Sequence, residues 1–406
     1  MLIEFRVANY RSIREEQTLS LVASGADKEL PGNCIEEGLI GMKGMSFLRG
    51  AAIYGHNASG KSNVFMAIQF LLDFINNSAM GLKPGDPTGV EPFKLDVDSI
   101  SKPSKFEITF VADKVRYLFG VSLTRERIVE EYLVAYPKGF PQNWYRRYYI
   151  PESGSYAWDK PSPSFKADDD LKAKVRENTL FLSVGPLFND PQLTPVYNWF
   201  KSSIRLLKLN GEAGLNPNFT AQWLQQGKDA DKIVSLMKNA DLAIVDAKVQ
   251  EQDVDFSVLK VSLYHEAKQA QPVELNFAHE ESAGTRRLFA LAGPWMDILE
   301  HGYFVLIDEI ETSLHPILVK ELVRMMMNPV INTKGAQIVF TTHSPSLLDT
   351  NVLRRDQIWF TEKDSSGATT LYPLTDFQPR KGEAVAKGYL AGRYGAVPFR
   401  GSDPDF

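Results

Sequence analysis

Gly55-His56-Asn57-Ala58-Ser59-Gly60-Lys61-Ser62 is the stretch of this 406-residue sequence whose residue types and spacing carry the most specific chemistry. Small residues at these positions let successive backbone N–H groups curl around an anion. An apolar run at helical spacing begins right after Lys61, so the loop opens onto a helix N-terminus. A lysine there neutralises terminal phosphates, and the Ser62 hydroxyl is a hard oxygen ligand for a magnesium ion that keeps most of its water. Far along the chain, Phe304-Val-Leu-Ile-Asp308-Glu309 is an apolar run ending in two carboxylates, as a buried parallel strand ends at the carboxyl edge of its sheet. Asp308 is then placed to hold the metal shell and Glu309 to polarise an attacking water. The acidic pair alone reads equally well as a helix cap. Beside the loop it reads as the second half of a site for ATP and Mg2+.

Three more segments follow an order. Glu281-Ser282-Ala283-Gly284-Thr285 directly precedes a helix, so its hydroxyls and amides can face an anion or simply cap that helix. Ser313-Leu-His315-Pro316 comes after the acidic pair, and Thr341-Thr-His343-Ser344 after the next apolar run.

These five elements together resemble the ABC-type ATPase heads shared by structural-maintenance, recombination-mediator and OLD-type proteins. The resemblance implies nucleotide contacts along Gly55, His56, Asn57, Ala58, Ser59, Gly60, Lys61, Ser62 and Asn63, with Ser62 and Asp308 on the metal. It makes Glu309 the general base and His343 the switch histidine at the γ-phosphate. It also makes Ser282, Gly284 and Thr285 a signature that reaches ATP bound to a second copy, so hydrolysis needs a homodimer or higher homo-oligomer. Ser313 to Pro316 matches the D-loop. The signature departs from the Ser-Gly-Gly-Gln form, and the Q-loop glutamine has no clear counterpart. The wording Asp308-Glu-Ile-Glu-Thr-Ser-Leu-His-Pro316 is most like the OLD-type branch. So is the opening Asn9-Tyr10-Arg11-Ser12, which in related heads lies near the nucleotide and otherwise reads as a strand-end turn. The closing Tyr389-Leu-Ala-Gly-Arg393-Tyr-Gly-Ala-Val-Pro398 is similar to the tail of stand-alone OLD-type ATPases that accompany a separate Toprim-like nuclease in bacterial phage-defence operons. Only about sixty residues follow His343, so the expected effector is another protein, with a phage product as trigger.

The elements that must hold these groups follow from pattern. Leu2 to Ala8 and Gly50 to Tyr54 read as strands, Lys61 to about Asn76 as a helix, and Met80 to Pro103 as loop. Phe106–Ala112, Val115–Leu123 and Ile128–Tyr136 read as an antiparallel sheet, the first pair turning at Asp113-Lys114. Later strands are expected at Val258–Tyr264, Phe304–Ile307, Gln337–Phe340 and Gln357–Phe360, with helices at Gly284–Leu299 and Pro316–Met327. The expected fold is α/β: an ABC-type head with a mixed-sheet P-loop core, an antiparallel β-subdomain and an inserted helical arm. Its division is 1–163, 164–247 for the helical lobe, and 248–406.

Composition bounds the rest. Hydrophobic residues at 44% and charged residues at 23% are globular values, and a net charge of -5 gives no general attraction for phosphate backbones. The single cysteine, Cys34, excludes an internal disulfide or a thiolate metal site. No stretch approaches a membrane span, and a charged, alternating N-terminus reads as cytoplasmic. Trp144-Tyr-Arg-Arg-Tyr-Tyr149 interleaves aromatic and basic residues, as a base-stacking surface or an exposed sheet edge would. Arg286 and Arg287 put positive charge in the first turn of a helix, where a phosphate or a carboxylate of a partner would compensate it. The functional expectation is a nucleotide-dependent sensor and scaffold controlling the Toprim-like effector. The alternative is a repair ATPase clamping DNA, and a transporter subunit fits least.

Overall fold

The computed structural model of the chain describes residues 1–36, 42–166, 169–209, 215–238, 243–250, 260–267, 271–312, 314–380 and 382–397. Two sheets dominate. Five parallel strands and one antiparallel edge strand form the core sheet, in the order Ile204–Lys208, Phe304–Asp308, Gln337–Thr342, Gly50–Tyr54, Ile358–Lys363 and Thr369–Pro373. Both faces of this sheet are covered, which is why its strands are nearly continuous apolar runs. Ala51, Ile53, Leu306 and Val339 face one hydrophobic core, and Ala52, Tyr54, Val305, Ile307 and Phe340 face the other.

The first core is shared with a seven-stranded antiparallel sheet running Ser155–Trp158, Gln142–Ile150, Ile128–Tyr136, Val115–Leu123, Ser104–Ala112, Leu2–Ala8 and Gln17–Ser20. Between the two sheets lies the helix Lys61–Gly81, which buries Val64, Ile68, Leu71 and Ile75 and runs past the expected end at Asn76. The second core is closed by the helices Ala283–His301 and Pro316–Met327 and a small sheet of Ile244–Gln250, Lys260–His265 and Val273–Asn276. The α/β class, with a mixed core sheet and an antiparallel β-subdomain, is as expected.

Three expectations need correction. Residues 164–247 contain helices but do not stand apart as an arm. Phe181–Val184 and Leu193–Ser202 pack into the first core, and Ile204–Lys208 is the edge strand of the core sheet, in register with Phe304–Asp308. Met80 to Pro103 holds a short helix, Val97–Ser101, capped by the Asp96 side chain. The aromatic and basic run Trp144 to Tyr149 is not a sheet edge, and only Arg146 and Tyr148 of it are exposed. Its strand lies inside the sheet, Trp144 and Tyr145 are in the core, and Arg147 is 1% exposed and ion-paired with Glu131 at 2.8 Å. Of the strand expected at Val258–Tyr264, residues 258 and 259 lie outside the described residues, and Lys260–His265 is strand. Asp113 and Lys114 both take positive φ, 47° and 64°, as a two-residue hairpin turn requires.

Candidate nucleotide site

The carboxyl edge of the core sheet gathers the chemistry. Gly50–Tyr54 delivers the Gly55–Ser62 loop, Phe304–Asp308 delivers Asp308 and Glu309, and Gln337–Thr342 delivers His343. Because these three strands are parallel neighbours, their ends meet at one edge, where ligands of open α/β sheets bind.

The loop is built from below. Ser59 Oγ shares a hydrogen with Thr361 Oγ1 at 2.7 Å, and Thr369 Oγ1 donates to the Ser59 carbonyl at 3.2 Å. Gly60 sits at φ 107°, and a Cβ there would fall 2.1 Å from Thr369 Oγ1, so only glycine fits. Ala58 takes φ 65° without that freedom. His56, Asn57 and Ala58 form the outer lip, with His56 Nδ1 2.6 Å from the Asn57 carbonyl oxygen.

Lys61 is folded under this loop. It is 5% exposed, and its ammonium donates to the Gly55 carbonyl at 2.7 Å and the His56 carbonyl at 3.0 Å. Burial pushes it down to about 8, while the nearby charges of Glu309, Asp308 and Glu311 oppose that shift. An ammonium held by carbonyls in a desolvated loop is a fitting partner for phosphate. Ser62 Oγ donates to Asp308 Oδ1 at 3.4 Å, and Thr341 Oγ1 donates to the same oxygen at 2.6 Å. A hydroxyl beside a carboxylate is the hard oxygen set that Mg2+ takes, with phosphate oxygens and water completing it. Glu309 has φ 51°, and its N–H donates to Thr341 Oγ1 at 2.7 Å. His343 Nε2 lies 4.0 Å from Glu309 Oε1, and burial, followed by the Lys61 charge, holds the imidazole below its ordinary value. The structure therefore brings Gly55, Gly60, Lys61, Ser62, Asp308, Glu309 and His343 together.

Other expected residues lie elsewhere. Asn9 is buried with its amide fully engaged, donating to the Ser99 and Lys102 carbonyls and accepting from the Phe93 N–H, so it organises the 93–103 segment instead of facing the loop. Arg11 pairs with Glu91 at 3.3 Å. The member of that opening that touches the P-loop segment is Ser12, which accepts from Asn63 Nδ2 at 2.6 Å and shares a hydrogen with Thr369 Oγ1 at 2.7 Å. Thr341 and Thr369 were not among the expected residues. Thr341 stands two residues before His343, in the same segment, whereas nothing in the sequence points to Thr369.

Ser282 caps the helix Ala283–His301, its Oγ accepting from the Thr285 N–H at 3.0 Å. Gly284 lies in the first turn. Among the described residues, no hydrogen bond links Ser282, Gly284 or Thr285 to the Gly55–Asn63 segment of the same chain. The turn is anchored from behind, where Glu281 Oε1 meets His265 Nε2 at 2.7 Å. Arg286 donates to the Ala278 carbonyl at 2.7 Å, and the Arg287 Nε and Nη2 are buried without a partner among the described residues. Ser313 lies outside the described residues, and His315 caps the helix Pro316–Met327. His56, Asn57 and His343 also face an open cleft of about 670 Å³ whose far wall is Tyr389, Leu390 and Val397 of the closing segment. Pro398 lies outside the described residues. No described helix is long and apolar enough to cross a membrane.

Solved structures that align with the chain include the SMC head domain from Thermotoga maritima, at 11% identity, 92% of this chain, 98% of that one and a TM-score of 0.42. A second is an Smc head bound to the C-winged helix domain of ScpA, at 14% identity, 91% and 97% coverage and a TM-score of 0.43. A third is the Smc head with an extended coiled coil bound to the C-terminal domain of ScpA, derived from Pyrococcus furiosus, at 14% identity, 93% and 97% coverage and 0.40. No curated protein matches the chain. The model of one family, described as AAA domain, putative AbiEii toxin, Type IV TA system, matches residues 51–349, a span from the P-loop strand to beyond His343. The chain belongs to that AAA-domain family.

Proposed function

We propose that the chain is a regulated ATPase that binds Mg-ATP at Gly55–Ser62 and uses its turnover as a conformational switch. The observation that carries this reading is the convergence of Lys61, Ser62, Asp308, Glu309 and His343 on one sheet edge. Lys61 leaves its two carbonyl partners for the phosphates, and the lip His56-Asn57-Ala58 with the N–H groups behind it encloses them. Ser62 and Asp308 would hold a Mg2+ ion, which would supply charge neutralisation to the phosphates. Glu309 takes the proton of the attacking water, and His343, kept neutral by burial, hydrogen-bonds at the γ-phosphate edge. Ser282, Gly284 and Thr285 complete the site on a second copy, which accords with the absence, among the described residues, of a hydrogen bond from them to the P-loop of the same chain. The resulting homodimer senses a phage trigger and holds or frees a separate Toprim-like nuclease. The toxin–antitoxin description of the family supports the defence setting.

The test is the mass of the purified chain with Mg-ATP, measured by light scattering, together with phosphate release. Glu309→Gln is expected to bind ATP, lose turnover by about 10²-fold or more and double in mass, while Lys61→Ala binds no nucleotide and stays single. A Glu309→Gln protein that hydrolyses ATP at the wild-type rate would overturn the base assignment. A protein that never pairs would overturn the shared site. Co-purification with a Toprim-like protein encoded beside this chain, dependent on ATP, tests the effector. Tight, salt-sensitive, ATP-dependent duplex binding would favour a DNA clamp instead.

A further inference from the structure

Glu311 lies just beyond the acidic pair and is not needed for any role described so far. The turn that carries it is fastened to the neighbouring strand at three successive points. Glu309 N–H donates to Thr341 Oγ1, Ile310 N–H donates to the Thr341 carbonyl at 3.1 Å, and Glu311 Oε1 accepts the His343 N–H at 2.5 Å. The last bond ties the backbone of the switch histidine to a carboxylate. A bond of that kind, with a charged acceptor, is about twice as strong as a neutral one.

The other oxygen, Oε2, is buried and has no hydrogen-bond partner among the described residues, and the same is true of the Tyr54 hydroxyl. Tyr54 is the residue immediately before Gly55. Leaving a carboxylate oxygen buried without a donor is costly, so a neutral side chain would cap the loop with less strain. The charge acts on the working groups of the site: it opposes the effect of burial on both Lys61 and His343. The residue thus connects the acidic turn to the switch.

From these contacts we infer that Glu311 is a positioning residue of the hydrolytic site, acting through His343. The inference rests on the ATPase reading above. Its carboxylate fixes where the His343 backbone, and hence the imidazole, stands when phosphate arrives. Displacement of a catalytic group by about 1 Å costs on the order of 10²-fold in rate, with little effect on ground-state binding.

The experiment compares steady-state ATP hydrolysis and nucleotide affinity in wild type, Glu311→Gln, Glu311→Ala, Glu311→Met, His343→Ala and the double variant Glu311→Ala/His343→Ala. Gln retains an oxygen able to accept from His343 N–H, and it is expected to keep kcat within about fivefold of wild type. Ala and Met, which cannot accept that bond, lose roughly 10²-fold in kcat with KM within about threefold. The double variant is no slower than the slower single one, because Glu311 acts only through the placement of the His343 imidazole, which the histidine substitution has already removed. Losses that multiply in the double variant, a Gln variant as slow as Ala, or wild-type kcat in both Ala and Met each overturn the inference. Met fills the space of the glutamate, so a folding defect confined to Ala leaves the comparison intact. Absence of turnover in wild type instead marks a failure of the ATPase reading itself, and wild-type turnover in Glu309→Gln a failure of the base assignment.

Discussion

Glu131→Gln tests the account of how the β-subdomain is held on the head. Glu131 and Arg147 are directly opposed on neighbouring strands, and their side chains are 0% and 1% exposed. Four donors converge on the Glu131 carboxylate: Arg147 Nε at 2.8 Å, Tyr145 hydroxyl at 2.9 Å, and the backbone N–H groups of Phe181 and Leu182 at 2.9 and 3.1 Å. Arg147 Nη1 and Nη2 donate to the Arg176 and Thr179 carbonyls. Glutamine keeps one accepting oxygen for two of those four donors and turns an NH2 towards the others. It also leaves the guanidinium charge buried without its counter-ion. Removing one member of a buried pair costs about 3–5 kcal/mol, a large share of a typical total of about 5–15 kcal/mol. With a urea slope of about 3 kcal/mol per molar, the unfolding midpoint should fall by about 1 M or more, followed by tryptophan fluorescence. The adjacent pair Arg146–Glu130 is as close, 2.5 Å, but its side chains are 51% and 26% exposed. Glu130→Gln should therefore cost less than about 1 kcal/mol. Equal midpoints for the two variants would refute the argument that burial and not distance decides the effect.

Two further outcomes follow from the nucleotide loop. Since burial depresses Lys61 to about 8, it is charged below that pH and neutral above it. Phosphates raise its pKa, so ATP affinity is full at lower pH and should weaken roughly eightfold from about pH 7.5 to about pH 9, with proton uptake on binding seen by calorimetry in two buffers. A flat affinity without proton uptake contradicts this. Ala58 holds φ 65°, a conformation costing an L-residue roughly 1–2 kcal/mol, against a smaller entropic cost for glycine of about 0.5–1 kcal/mol. Ala58→Gly should raise stability by about 0.5–1 kcal/mol, and a lowered urea midpoint would count against the strain argument.

What could be read in the sequence was what neighbouring residues decide together. The Gly55–Ser62 loop, the apolar strand ending at Asp308-Glu309 and the turn at Asp113-Lys114 each carry their own local signal, and each lies where that signal put it. What could not be read depends on partners far away in sequence. Arg147 looked like a surface charge because Glu131, sixteen residues earlier, becomes its partner only once strand register is set. Ile204–Lys208 is five residues long and lies between helices, too short for its alternation to announce a sheet edge. Asn9 resembled a nucleotide contact but saturates its amide on segments about ninety residues away. Ser12 and Thr369, 357 residues apart, meet only beneath the folded loop.

The position of the P-loop strand has a consequence for the order of synthesis. Gly50–Tyr54 is flanked by Gln337–Thr342 on one side and Ile358–Lys363 on the other. A ribosome that has released only the first three hundred residues has made the anion-binding loop but neither of its neighbours. Such long-range closure is slow and late. Nucleotide capture by the nascent polypeptide must wait until nearly the whole chain has emerged, and a stalled fragment ending before Gln337 that retained ATP would contradict this order.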